Sequence, residues 1–373
     1  MPFLKNSWYC AGWSTDVTDK PIHRKILGEN IVLFRGSEGQ VIALGDKCPH
    51  RFAPLHEGRV KGDVIECPYH GLQFDATGSC VFNPHGSGQI PAANRTSAYP
   101  IEERNGTIWL WTGDPELADP DQVIDTSFLM DKDTYVSRTG YHPVKGNYML
   151  VVDNLLDLTH AQFLHPETVF GKSAAERWAV SLTGKPKEGE EAAQEVWFEE
   201  TDESLTAHQM MRGKPTPPLW EPIVDYDMSD LYSRITWFAP SNLHLVLELK
   251  PKDSDEKPAK MTVMHFMTPI DELSCYYFFA IGWDTNIEDQ EAADRVIGIV
   301  VQTVLDEDGP MIEKCQAYMG DTDDLFSLKP ILLQTDGMAI KARRRMEKLL
   351  KDQGKEKTAK PQQAEKVVQV EMS

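Results

Sequence analysis

The first 115 residues contain short apolar runs that end in glycine or aspartate, a pattern typical of strands joined by tight turns. No long stretch in this region has a helical period. The pattern predicts a small all-β domain over residues 1–130, with its boundary inside the polar stretch 113–135. The runs that carry this prediction are NIVLFRG (30–36), QVIALGD (40–46), DVIECPYHG (63–71) and TIWLWTGD (107–114).

The remainder of the chain mixes helical and strand-like patterns. Residues 144–165 have a helix-like apolar distribution, and a helical period returns over 289–318 and 338–352. Residues 195–285 read as a succession of strands. These patterns predict an α+β fold with a second domain over 131–353. The polar residues 354–373 are predicted to form a disordered tail.

Composition and charge narrow the class of protein. The net charge of −20 repels phosphate backbones and argues against nucleic-acid binding. No apolar run approaches the length of about 20 residues that a membrane span needs, and the N-terminus lacks the features of a signal peptide. Six cysteines are too sparse for a disulfide framework in 373 residues. We therefore expect a soluble, reduced, cytoplasmic protein.

Two pairs of cysteine and histidine stand 16 residues apart, Cys48 with His50 and Cys67 with His70. Two thiolates and two imidazoles could hold one zinc ion tetrahedrally. They could equally hold a [2Fe–2S] cluster, with two thiolates on one iron and two imidazoles on the other. In that arrangement each loop contributes one ligand to each iron. Both alternatives fit the spacing.

A second group of polar residues follows the spacing Asn154, Asp157, His160, His165. The first three lie along one face of a helix. His165 lies about 140° around the helix from His160, so the two rings converge only if the helix ends or distorts between them. Two histidines near a helix end could chelate a metal ion, with a carboxylate supplied from a distant part of the chain.

The candidate carboxylate lies in the predicted helix 289–318. Asp308 falls on its apolar stripe, where an unpaired carboxylate is costly, so it must be paired or bound to metal. Asp306 is its main competitor. Pro310 is expected to kink the helix at this point.

The motifs CPHR and CPYHG resemble those of the oxygenase components of Rieske non-haem iron oxygenases. The resemblance extends to about residue 352 and includes the O-demethylases of vanillate and dicamba and the N-dealkylases of chloroacetanilide herbicides. The stretches that carry it are NSWY (6–9), CPHRFAPL (48–55), NPHG (83–86), DNLLDLTHAQFLH (153–165) and MHFMTP with SCYYFF (264–279).

This resemblance implies a Rieske [2Fe–2S] domain followed by a helix-grip catalytic domain, an antiparallel sheet with helices, that holds mononuclear non-haem Fe(II). The metal ligands would be His160, His165 and Asp308, a two-histidine, one-carboxylate triad. Asn154 and Asp157 would be catalytic residues. In a head-to-tail homotrimer, Asp157 would connect His70 of one subunit to His160 of the next.

The same resemblance implies oxidative O- or N-dealkylation of an aromatic compound, xenobiotic or lignin-derived, with release of an aldehyde. Aromatic ring hydroxylation or cis-dihydroxylation is the alternative, and a Rieske electron carrier fused to a ligand-binding domain is a third reading. Candidate substrate contacts are Leu155, Leu158, His265 and Trp283. The strands carry no clear basic cluster for a carboxylate, which favours a neutral amide or ether.

Electrons must come from other proteins, because the chain lacks a G-x-G-x-x-G fingerprint after a strand. The expected partners are a ferredoxin and an NAD(P)H-dependent ferredoxin reductase. Ferredoxins are usually acidic, so the basic residues that flank the cluster loops are a candidate docking patch. These residues are Lys47, Arg51, Arg59 and Lys61.

Overall fold

The computed structural model describes residues 3–165, 168–169 and 194–359. Its N-terminal part is built from strands and 3₁₀ helices, as the alternating pattern predicted. The strands are β1 (Ser7–Trp13), β2 (Ile22–Ile26), β3 (Glu29–Arg35), β4 (Val41–Gly45), β5 (Arg59–Lys61), β6 (Val64–Glu66), β7 (Gln73–Phe74), β8 (Cys80–Phe82), β9 (Ala98–Tyr99), β10 (Ile101–Arg104) and β11 (Thr107–Thr112).

These strands form three small antiparallel sheets, ordered β1-β11-β10, β2-β3-β4-β9 and β5-β6-β7-β8. The third sheet positions the predicted cluster residues. Cys48 lies in the connection between β4 and β5, and Cys67 lies in the connection between β6 and β7. Both cysteines share a hydrophobic core with residues of β3 and β4, so the two loops are anchored in one packed unit.

The second part contains one seven-stranded antiparallel sheet, ordered β12-β18-β17-β16-β15-β14-β13. This sheet and its helices confirm the predicted α+β class. Its strands are β12 (Val136–Val144), β13 (Gln194–Glu200), β14 (Ser204–Pro215), β15 (Met228–Phe238), β16 (Asn242–Pro251), β17 (Ala259–Asp271) and β18 (Ser274–Trp283). The division of the chain near residue 130 stays a prediction.

Alternation along the strands gives the large sheet two buried faces. On one face, Phe266 and Phe278 pack in a common core with tryptophans of the N-terminal domain. On the other face, Leu243 and Tyr277 pack with residues of the first helix. Since both faces are covered there, strands β17 and β18 are buried along nearly their whole length.

The helices lie on the second face. They are α1 (Tyr148–Leu156), α2 (Ala161–Leu164), α3 (Gln290–Gln302), α4 (Gly309–Met319) and α5 (Gly337–Ala359). A π-helical segment, Thr303–Asp308, joins α3 to α4. The 3₁₀ helices are Ser14–Asp16, Leu55–Glu57, Pro115–Leu117, Pro120–Gln122, Ser127–Leu129, Leu158–His160, Leu325–Leu328 and Gln334–Asp336.

The C-terminal helix corrects one expectation. It continues to Ala359, so residues 354–359 are helical rather than part of a disordered tail, and residues 360–373 lie outside the described residues. Within the described chain, none of the helices combines the length and apolarity needed to cross a bilayer.

Candidate active site

The two cluster loops have the same backbone design. The Cys48 N–H donates to the carbonyl of Ala53 at 2.9 Å, and the Cys67 N–H donates to that of Leu72 at 2.8 Å. The fourth residue after each cysteine has a positive φ, 60° at Phe52 and 70° at Gly71. Glycine adopts this conformation without cost, whereas Phe52 is strained. The repeated geometry turns both loops around a common point.

The four predicted residues come together as two pairs of like ligands. The thiols of Cys48 and Cys67 are buried and within hydrogen-bonding contact. The rings of His50 and His70 lie nearer the surface, with their centroids 4.5 Å apart. Burial raises the pKa of the Cys48 thiol to about 11, and a nearby iron would favour its thiolate form.

The arrangement of the four residues favours a cluster over a single zinc ion. A single tetrahedral ion would draw all four ligand atoms to within about 4 Å of one another. Among the described residues, the only group of three or more such side chains within 4.8 Å of one another lies elsewhere, in the catalytic domain. Cysteine next to cysteine and histidine next to histidine instead suit two irons with different ligands.

Replacing Cys48 with Ala is expected to remove the brown colour of the purified protein, because one thiolate ligand is lost. Visible absorption and iron content measure this. Cys80 offers a matched control, since it is buried in the same core but lies outside the two loops. Cys80→Ala should keep the colour. A coloured Cys48→Ala protein would refute the ligand assignment.

Acidic and histidine side chains brace the cluster loops. Asp46 Oδ1 accepts a hydrogen bond from the His56 N–H at 2.8 Å, and Oδ2 contacts His56 Nδ1 at 2.5 Å. His85 Nε2 donates to the backbone carbonyl of His70 at 2.8 Å. His56 and His85 are therefore supports, in agreement with their positions outside the sequence motif.

The second predicted group also assembles. Ligand atoms of His160, His165 and Asp308 all lie within 4.8 Å of one another. Asp308 Oδ1 is 3.6 Å from His160 Nε2 and 3.1 Å from His165 Nε2. Asp308 and His165 are buried, whereas His160 is partly exposed. Asp306, the competing carboxylate, is exposed.

The outer nitrogens of both rings are already engaged, which fixes their tautomers. His160 Nδ1 contacts the backbone carbonyl of Asp157, and His165 Nδ1 contacts Glu307 Oε2 at 2.7 Å. Both partners can only accept, so both Nδ1 atoms carry the proton and both Nε2 lone pairs face Asp308. Two lone pairs and a carboxylate that converge on one point form a cation site, and the donor set suits Fe(II).

Electrostatics agree with this geometry. Burial lowers the pKa of His165, but hydrogen bonds and charges from Asp308 and Glu307 outweigh burial, so the pKa is raised overall. A positive charge is thus favoured at this point. Asn154 Nδ2 donates to Asp308 Oδ1 at 3.2 Å and holds the carboxylate in place.

Asp157 is not part of this group. Its Oδ1 accepts hydrogen bonds from the Thr159 N–H at 3.0 Å and from the Thr159 hydroxyl at 2.5 Å, which caps the 3₁₀ helix Leu158–His160. Within the described chain, Oδ2 has no hydrogen-bond partner.

A cavity of about 170 Å³ opens onto His160, His165 and Asp308, which we call the metal group. Its walls are mostly apolar and include Leu155, Leu245, Leu247, Met261, Val263 and Ile281. None of the described residues that line it is a lysine or an arginine. A cavity of about 150 Å³ suffices to hold benzene, so this one matches a single aromatic ring with small substituents.

His265 is the polar group that faces this cavity from β17. Burial lowers its pKa to about 3, so the ring is neutral. Nδ1 lies 2.7 Å from the Tyr277 hydroxyl, and Nε2 is buried without a partner among the described residues. Burial raises the pKa of Tyr277 well above its usual value. When the protonated phenol donates to Nδ1, the imidazole proton lies on Nε2 and faces the cavity.

The other predicted substrate contacts have mixed outcomes. Leu155 lines the cavity, as expected. Trp283 does not: it lies on the same face of β18 but farther along, where Ala292, Ala293 and Val296 of α3 cover it. The backbone of Leu158 belongs to a 3₁₀ helix, and its side chain lies outside the described residues.

Three supporting residues were missed by the sequence analysis: Glu307, Thr168 and Tyr277. The Thr168 hydroxyl donates to Glu307 Oε2 at 2.6 Å. Tyr277 could have been found from strand alternation, because it lies on the same face of the sheet as His265 on the neighbouring strand. Glu307 gave no such signal, because an ideal helix separates it from Asp308 by about 100°.

The chain matches two known protein domains. Residues 7–96 match the Rieske [2Fe-2S] domain, and residues 144–352 match the vanillate O-demethylase oxygenase C-terminal domain. The chain is 34% identical to the dicamba O-demethylase oxygenase component of Stenotrophomonas maltophilia, over 94% of this chain and 98% of that protein. It is 33% identical to the chloroacetanilide N-alkylformylase oxygenase component of Rhizorhabdus wittichii, over 95% and 98%.

The solved structures agree. The crystal structure of dicamba monooxygenase bound to dicamba is similar with a TM-score of 0.83 and 32% identity, over 95% of this chain and all of that chain. These matches confirm the resemblance seen in the CPHR and CPYHG motifs. The chain belongs to the family of Rieske oxygenase components with a catalytic domain of the vanillate O-demethylase type.

Proposed function

We propose that this chain is the terminal oxygenase of a multicomponent monooxygenase that dealkylates a small, neutral aromatic ether or N-alkyl amide. One observation carries the proposal: the metal group and the unpaired His265 Nε2 face the same apolar cavity. The O-demethylase and N-alkylformylase relatives support dealkylation.

The residues present fit the two groups that the family implies. Cys48, His50, Cys67 and His70 would hold the [2Fe–2S] cluster, and His160, His165 and Asp308 would hold mononuclear Fe(II). When bound, these groups supply electrons and activate O₂ for oxidation of an alkyl C–H bond. The protein positions the alkyl carbon and excludes water from the site.

The overall reaction consumes O₂, two electrons and two protons. One oxygen atom enters the alkyl C–H bond and the other leaves as water. The resulting hemiacetal or carbinolamine breaks its C–O or C–N bond and releases an aldehyde with the phenol or amide. The cavity favours this outcome because its apolar walls hold the ring while the His265 N–H orients one polar acceptor.

The proposed electron route passes through a second subunit. Beside Asp157 and His160 a surface depression of about 330 Å³ is bordered by a segment, 325–333, that exposes large apolar side chains. Ile331 is 90% exposed and Leu333 65%. On the cluster loops, Phe52 and Tyr69 are exposed too. Exposed apolar patches of this kind mark protein interfaces.

These surfaces support a head-to-tail homotrimer in which the cluster loops of one subunit dock beside Asp157 of the next. His70 of one subunit would then reach the free Oδ2 of Asp157 in its neighbour. His160 lies beyond, in contact with the Asp157 backbone. Asp157 would thus connect the cluster to the mononuclear site, through its carboxylate on one side and its backbone carbonyl on the other.

A ferredoxin, reduced by an NAD(P)H-dependent reductase, would supply the electrons. Within the proposed docking patch, Arg51 and Arg59 are exposed. Lys61 pairs with Glu66, and Lys47 lies over the Phe52 ring at 5.2 Å. The two arginines are therefore the stronger candidates for an acidic partner. The cytoplasmic location stays a prediction.

The test of the proposed function is an assay of the iron-replete protein with ferredoxin, reductase, NADH and O₂. Methoxybenzoates, methoxyphenols and N-alkyl anilides serve as the substrate panel. Aldehyde released in step with NADH oxidation supports dealkylation. Coupled NADH oxidation that yields a phenol or diol without aldehyde would overturn it in favour of ring hydroxylation.

Replacing His265 with Leu is expected to raise KM about 3–10-fold for a substrate with a hydrogen-bond acceptor, the loss of one neutral hydrogen bond. Since this hydrogen bond stabilises the bound substrate and the transition state equally, kcat should change little. The measurement compares KM for the acceptor-bearing substrate with KM for an analogue that lacks the acceptor. His265→Gln, which keeps a donor, is the control. Equal KM values for the His265→Leu variant and the unmodified protein would contradict a hydrogen bond from His265 to the substrate.

A further inference from the structure

Glu307 contacts His165 on the side opposite the three converging ligand atoms. Its Oε2 accepts hydrogen bonds from His165 Nδ1 at 2.7 Å and from the Thr168 hydroxyl at 2.6 Å. Its side chain is only 17% exposed. The carboxylate is therefore held by protein groups rather than by solvent.

The carboxylates of two consecutive residues, Glu307 and Asp308, thus contact opposite nitrogens of the His165 ring. Asp308 Oδ1 lies 3.1 Å from His165 Nε2, while Glu307 holds Nδ1. A regular α-helix would point neighbouring residues about 100° apart. The π-helical segment Thr303–Asp308 changes this spacing, and the Gly309 N–H donates to the carbonyl of Val304, five residues earlier. Such π-turns occur frequently at functional sites.

The two histidines of the metal group are consequently unequal. His160 Nδ1 donates to the neutral backbone carbonyl of Asp157, whereas His165 Nδ1 donates to a carboxylate. A hydrogen bond to an ionised acceptor is roughly twice as strong as one to a neutral acceptor. It also makes the opposite ring nitrogen a more basic ligand.

We infer that Glu307 is a positioning residue for the metal, which fixes the tautomer of His165 and makes it the stronger of the two histidine ligands. This inference rests on the proposed function, because it takes His165 as a metal ligand. It goes beyond that function by assigning a role to a residue outside the triad.

The test measures Co(II) affinity by equilibrium dialysis, using protein that keeps its cluster but has been stripped of mononuclear metal. We expect the Kd to rise about 10–100-fold in Glu307→Ala. It should rise less in Glu307→Gln, which keeps an acceptor but loses the charge. Asp306→Asn removes the same charge from the exposed neighbouring position, so its Kd should stay within about twofold of the unmodified value.

A second readout separates positioning from a general loss of structure. The EPR spectrum of bound Co(II) should change in Glu307→Gln and stay the same in Asp306→Asn. Equal Kd values and equal spectra in the Glu307 and Asp306 variants would overturn the inference while leaving the proposed function intact. If the unmodified protein binds no Co(II) at this site, the proposed function fails and the inference fails with it.

Discussion

Replacing Asp157 with Asn will leave both iron centres bound and lower turnover by on the order of 100-fold or more, the scale expected when a reacting pair loses its alignment. Asn keeps the side-chain oxygen that accepts from Thr159, so the 3₁₀ helix that carries His160 should persist. What is lost is the negative charge on Oδ2, which has no partner within the described part of its own subunit. In the proposed trimer, the contact with the neighbouring subunit depends on that charge.

Three measurements together test this expectation: iron content, the visible spectrum of the cluster, and product formed per NADH oxidised. Asp336→Asn is a matched control, since Asp336 borders the same surface depression and contacts neither metal group. It should retain nearly full turnover. Full activity in Asp157→Asn would show that electrons do not pass through this carboxylate, and loss of the mononuclear iron would show that the residue is structural.

The residues of both metal groups could be predicted from the sequence because donor chemistry is local. Cys48, His50, Cys67 and His70 stand in a spacing that few other sites require. The apolar stripe around Asp308 isolated it from its acidic neighbours, and the structure brings it to the two histidines. The pairing of thiol with thiol, which separates a cluster from zinc, needed three-dimensional coordinates.

Other features could not be predicted because tertiary context decides them. The π-turn places Glu307 beside His165, whereas a regular helical period assigns it to another face. The position of Trp283 on its strand was compatible with a cavity wall, but α3 covers that end of the sheet. Strand β12 alternates buried and exposed residues and contains a glycine and a proline, so its apolar signal is weak.

Replacing Asp308 with Asn is expected to remove the mononuclear iron, abolish turnover and leave the cluster unchanged. Asn has the same shape and can still accept from Asn154 Nδ2. It cannot supply a negative charge between two neutral histidines. The positive charge of Fe(II) would then have no anionic ligand to balance it. Metal affinity should therefore fall by more than about 100-fold, beyond the loss typical of an outer partner.

Iron content, cluster absorbance and aldehyde release measure the outcome, with Asp306→Asn as the control of equal charge. The Cys48→Ala protein should show the reverse result, with mononuclear iron retained and the colour lost. Opposite losses in these two variants would establish two independent metal sites in one chain. If Asp308→Asn kept its mononuclear iron, another carboxylate must serve as ligand. Glu307 is then the candidate, since it already contacts His165, and Co(II) binding by the Glu307→Gln, Asp308→Asn double variant would decide the matter.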